Sequence, residues 1–151
     1  MKVLKYVAWL ALIAFAGIQF FPTDRNESYS TPETDFMIIN EVPVNIQQQL
    51  QTSCYDCHSN NTAYPWYNGI QPFAWYLEDH IKEGKAELNF NKWDTYSTRR
   101  KNSKLRSMMK QIESGEMPLN SYTLIHGDAS LSKAQQTDLI EYILKLKENI
   151  N

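Results

Sequence analysis

The chain has 151 residues, 42% of them hydrophobic and 21% charged, with 15 Lys+Arg against 17 Asp+Glu for a formal charge of -2. That length suits one domain with its own core, and the composition excludes a collagen-like, mucin-like or fully disordered chain. No long basic stripe is present, so nothing points to nucleic acid as a partner.

Lys2 and Lys5 precede an apolar run from Tyr6 to Phe21, broken only by Gly17 and Gln19 and ended by Pro22. Positive residues followed by an apolar segment read as an export signal. Ala14-Phe15-Ala16 offers a weak cleavage site, but the apolar character continues through Ile18, Phe20 and Phe21. Residues 1–21 are therefore expected to be an uncleaved membrane-anchor helix, with a cleaved signal as the alternative. The run is a little short against the roughly 17–25 residues of a comfortable span. Lys2 and Lys5 stay cytoplasmic and the rest is exported, which places the domain on the periplasmic side of the inner membrane. Without those two lysines the exported part carries about -4, unsuited to an anionic bilayer. Residues 22–36 are polar, with two prolines, and read as a flexible tether. The folded domain is expected over 37–151.

Four helices are predicted there. Val44 to about Cys54 follows Pro43, with Ile46 and Leu50 on one face. Pro72 to about Lys82 places Phe73, Tyr76, Leu77, His80 and Ile81 together, with Gly84 as its C-terminal cap. Lys101–Ser114 carries Leu105, Met108, Met109 and Ile112 and stops at Gly115. Its basic cluster, from Arg99 to Arg106, reads as a solvated face. Lys133 to Glu148 opens with a Ser132/Gln135 capping box and carries a broad apolar stripe including Leu139, Ile140, Ile143, Leu144 and Leu146. Residues 60–70 read as loop. No run of alternating strands appears, so the fold class is mainly α.

The motif that carries chemistry is Cys54-Tyr55-Asp56-Cys57-His58, a C-x-x-C-H holding both cysteines of the chain. In an exported protein it reads as covalent attachment of one c-type haem. Two thiols three apart can each form a thioether to one vinyl group, and His58 then lies under the iron as proximal ligand. A dithiol redox pair needs a low thiol pKa at a helix N-terminus, usually in a βαβ setting, and the β signals are missing. A zinc site asks adjacent Cys57 and His58 to face one tetrahedral ion. A short disulfide without cofactor is the plainest alternative.

For the second axial position the candidates are Met117, His80, His126, Met108, Met109 and Met37. Met117 is preferred, because it lies between Gly115 and Pro118 in a constrained inter-helix loop. His80 is the alternative, as a ligand or as a hydrogen-bonded core histidine. His126 reads as a propionate or loop contact, Met108 and Met109 as core. Trp66, Tyr67, Trp75, Phe90 and Trp93 form the expected ring-packing group. The carbonyl freed by Pro65 or Pro72 could orient His58 through its Nδ1, and Asn89 and Asn91 could reach a propionate.

The stretches CYDCHSNNTAYPWYNGIQPFAWYLEDHIKEGKAELNFNKW and GEMPLNSYTLIHGDASLSKAQQTDLIEYI resemble the bacterial haem-binding domain proteins. These are small cytochrome-c-like proteins common in Bacteroidetes-type genomes. The resemblance runs from about Val44 to Ile143 and rests on C-x-x-C-H-S-N, Y-P-W-Y, L-N-F, M-P-L and A-x-L-S. It implies a helical domain around a c-type haem on Cys54, Cys57 and His58, attached outside the cytoplasm. It implies no particular reaction. A weaker similarity to class I cytochromes c adds a Met-Pro pair and an aromatic-bearing C-terminal helix. His80 departs from that pattern and leaves bis-His ligation open. The expected function is a tethered mono-haem cytochrome exchanging electrons with redox proteins. The alternative is a haem sensor or peroxidase-like protein, with His80 or His126 as the distal acid-base group.

Overall fold

A computed structural model describes residues 2–150. Among them there is no strand, and the helices surround a core under the C-x-x-C-H segment. Helix α1 (Lys2–Ile18) buries none of its residues. Among the described residues no helix is long and apolar enough to cross a membrane.

Residues 22–36 lie along the domain rather than away from it. The Asn26 side chain donates to the Ser59 carbonyl and to Thr62 Oγ1, both at 2.9 Å, and Thr62 N donates to the Asn26 carbonyl at 3.0 Å. Thr34 Oγ1 donates to the Asn91 carbonyl at 2.6 Å. Polar composition suggested a tether, but these polar groups pair with the domain's own loops. Asp35 then caps the short α2 (Phe36–Ile39) by accepting from Met37 N at 2.8 Å.

Helix α3 (Val44–Leu50) starts at Pro43 and buries Ile46 and Leu50. It runs into a wide π-type turn over Gln51–Tyr55 and then α4 (Asp56–His58). The helical path thus continues to His58, past the predicted end at Cys54. A π-type turn inserts an extra residue into the helix, and such turns cluster at functional sites.

The largest departure from expectation is α5 (Phe73–Glu87). It passes straight through Gly84, which periodicity had made a terminator. Gly84 serves approach instead: a Cβ there would lie 2.7 Å from the Cys57 carbonyl oxygen. The face of α5 also turns differently. Ala74 and Ile81 are buried, while Phe73 and Tyr76 are exposed.

Helix α6 (Thr98–Ser114) starts at Ser97, whose Oγ accepts from Arg100 N, and ends at Gly115 with φ +71°. Short α7 (Asn120–Thr123) follows, and α8 (Lys133–Ile150) closes the chain. Its capping box forms as expected: Ser132 N donates to Gln135 Oε1 at 2.9 Å and Gln135 N to Ser132 Oγ at 3.3 Å. Helix α8 packs on α6 and α3, and the 3-10 turn Phe90–Thr95 packs on α2. Phe36, Leu50, Phe90, Trp93, Leu105, Leu139 and Ile143 are almost fully buried between them. Leu139→Ala should therefore cost about 2–5 kcal/mol, read as a lower midpoint in urea unfolding.

Candidate functional site

Cys54, Cys57 and His58 share the wall of a cavity of about 310 Å³. The opposite walls come from α5, α6 and the loop after α6. Leu88, Phe90, Met108, Ile112, Met117 and Leu119 make it largely apolar, and Tyr122, His80 and Lys104 are among its polar groups. Both cysteines are free thiols. A second, more polar cleft of about 730 Å³ touches Tyr55 and Asp56 but neither thiol nor His58.

The imidazole of His58 is held from behind. Its Nδ1 lies 3.0 Å from both the Gly84 and the Leu88 carbonyl oxygens. Carbonyls only accept, so Nδ1 carries the proton and Nε2 keeps its lone pair. Burial lowers the His58 pKa, which further favours the neutral ring. Such a second hydrogen bond fixes the tautomer and raises the basicity of a metal-ligating histidine. The expected acceptor, a carbonyl freed by Pro65 or Pro72, is not the one used. The signal that could have found the right ones is Gly84, a glycine inside an otherwise sustained helical pattern.

The thiols are pushed upward. Burial, with the neighbouring Cys57, raises Cys54 to about 12; burial, with Asp56, raises Cys57 to about 11. A redox dithiol needs the opposite shift. Among the described residues no group of three or more His, Cys, Asp or Glu is placed to hold a metal ion, so a zinc site has no ligand set.

Of the second-ligand candidates, the structure brings Met117, His80 and Met108 to the cavity wall. His80 Nδ1 lies 2.8 Å from the Tyr76 carbonyl, which leaves its Nε2 as the lone-pair nitrogen, as in His58. Met37 is buried in the core and Met109 packs against it. His126 lies off the cavity wall: its Nε2 pairs with Tyr67 Oη at 2.9 Å and its ring stacks on Tyr122.

The aromatic group divides. Phe90 lines the cavity, but Trp66, Tyr67, Trp75 and Trp93 do not. Trp93 is buried against Phe36 in the core, whereas Trp66 is 84% exposed. Composition shows that aromatic residues are plentiful but not which surface each faces. Asn89 and Asn91 are also otherwise engaged. Asn89 donates to Asn60 at 2.8 Å and Asn91 to Asp35 at 2.6 Å, inside a buried polar network.

Two wall residues escaped the sequence reading. Tyr122 Oη donates to Asp56 Oδ2 at 2.6 Å, tying α7 to the C-x-x-C-H turn. Lys104, from the cluster read as solvated, has a side chain only 18% exposed and lies 3.6 Å from Glu87. It offers a cation at the cavity, as a haem propionate needs.

The fold and site define a small helical domain whose paired thiols, oriented imidazole and apolar slot suit a flat, metal-bearing macrocycle. Residues 13–145 match the sequence profile of the haem-binding domain, and the chain belongs to that family, with haem as its cofactor. No curated protein and no solved structure gave a match.

Gly84→Ala separates close approach from helix propensity. Alanine in a free helix gains up to about 1 kcal/mol over glycine. Here its Cβ meets backbone, so the variant should lose about 1–3 kcal/mol, seen as a lower unfolding midpoint.

Proposed function

We propose that the protein is an exported, membrane-tethered mono-haem c-type cytochrome that transfers electrons between redox proteins. The observation that carries this reading is that Cys54, Cys57, His58 and Met117 line one cavity. Haem iron supplies a one-electron couple, and a methionine ligand raises its potential relative to a second histidine. Cys54 and Cys57 would hold the ring edge, each thiol adding across one vinyl group to form a thioether. His58 would offer Nε2 to the iron, with the Gly84 and Leu88 carbonyls keeping its proton on Nδ1. Leu88, Phe90, Ile112 and Leu119 would exclude water from the bound ring, and Lys104 would receive a propionate. Helix α1 supports the tethering: it is apolar, and its side chains are uncovered.

One observation favours a second reading. His80 lines the same cavity, and its proton is also held on Nδ1 by a carbonyl. A bis-His iron, or a sensor or peroxidase-like site, would use it. Optical spectra and potentials of two variants separate the readings. Met117→Ala should abolish the weak red-end band of the methionine–iron bond and lower the potential, while His80→Ala leaves both unchanged. The reverse pattern would assign the iron to His80.

A further inference from the structure

The stretches 6–23, 57–77 and 117–127 contain no Asp, Glu, Lys or Arg. The fold joins their exposed apolar residues into one area. At the end of α1, Gln19 exchanges two hydrogen bonds with the Gln71 backbone, Nε2 to the carbonyl at 3.1 Å and Oε1 from the amide at 3.0 Å. The Phe21 carbonyl accepts from Gln71 Nε2 and Trp75 Nε1, both at 3.0 Å. Phe73 lies between those two residues at the start of α5. One turn on, Tyr76 Oη donates to Ser121 Oγ at 3.1 Å, which brings in the segment ending in Leu124 and Ile125. His126 continues the patch through Tyr67, whose ring meets that of Trp66 at 5.8 Å. Phe20, Phe21, Trp66, Phe73, Leu124 and Ile125 are all exposed, Leu124 by 86%.

Singly exposed apolar residues are ordinary, but a contiguous patch marks an interaction surface. We propose that this face docks in the interfacial layer of the bilayer that α1 enters, so that the domain sits on the membrane in one fixed orientation. The inference rests on the anchor reading of α1 and deepens it. The occupant follows from three features. The patch is continuous with an uncovered apolar helix, through the four hydrogen bonds at Gln19 and Phe21. Its apolar residues come from uncharged stretches, with Asp24 and Glu78 at the edge, and it carries aromatic rings, the composition of a membrane interface. Finally, α1 has 17 residues and extends about 26 Å, short of the roughly 30 Å of hydrocarbon. Phe20, Phe21 and the patch lengthen the apolar zone at the domain end of α1. Helix α5 carries the joint at Trp75, near its start, and Gly84 about 14 Å further along its axis. Docking therefore fixes the cavity relative to the membrane.

The test uses the full chain in phosphatidylcholine vesicles doped with a photoactivatable phospholipid, with adducts mapped by mass spectrometry. Docking predicts adducts at Trp66, Phe73 and 124–125 as well as in α1, and none in α8. Gln19→Ala should lose the domain adducts while keeping those in α1; unchanged domain adducts in that variant would overturn the role of the joint. Adducts confined to α1 in the unaltered chain would overturn docking, keep the anchor and leave the face to a protein partner. A chain that neither floats with the vesicles nor acquires adducts would overturn the anchor and the docking together.

Discussion

The bifurcated hydrogen bond behind His58 is the contact on which the rest depends. To place the Gly84 and Leu88 carbonyls 3.0 Å from Nδ1, α5 must run against the backbone of Cys57. Only a residue without Cβ permits that approach. The contact in turn commits the imidazole to one tautomer and one orientation. Phe90, in the turn after α5, meets the His58 ring edge-on at 6.2 Å and stacks on Tyr55 at 4.8 Å. The motif is therefore braced from two sides, by backbone carbonyls and by a buried aromatic ring.

From that brace the rest of the domain follows as closure of the cavity. Helix α6, backed by α8, presents Met108 and Ile112 to the slot. Gly115, in the left-handed conformation, turns the chain so that Met117, Pro118 and Leu119 cover another side. Tyr122 then fastens this loop back to Asp56, inside the motif itself. An apolar slot with two thiols and an imidazole on one wall and a thioether side chain on another fits the electron carrier proposed above, because it would keep a bound iron dry and its ligands fixed. Docked as proposed, the apolar face built around Gln71 would hold that slot near a membrane.

Much of this was legible in the sequence, and the limits have physical causes. C-x-x-C-H pointed to haem because its spacing is read along the chain, independent of fold, and the family is a haem-binding one. The ends of α6 and α8 were legible because Gly115 and the Ser132/Gln135 box act locally. Gly84 misled because a helix-ending glycine and a glycine of close approach look alike until the neighbouring segment is known. The aromatic residues misled for a related reason. Phe73 and Tyr76 have the spacing of a buried face, yet the structure exposes them. Periodicity reports that a helix has an apolar side, not whether protein, cofactor or lipid covers it. The polarity of 22–36 likewise gave no hint that Asn26, Thr34 and Asp35 pair with the domain.

The most direct test of the central claim is whether haem remains on the chain after denaturation. The protein would be produced with haem-maturation machinery, unfolded, extracted with acid and organic solvent, and its polypeptide examined by mass and by absorbance. The account predicts that one haem stays with the unfolded chain, and that replacing both Cys54 and Cys57 by alanine releases it. Haem that leaves the unaltered chain on extraction would contradict thioether attachment and reduce Cys54 and Cys57 to buried thiols beside a non-covalent site.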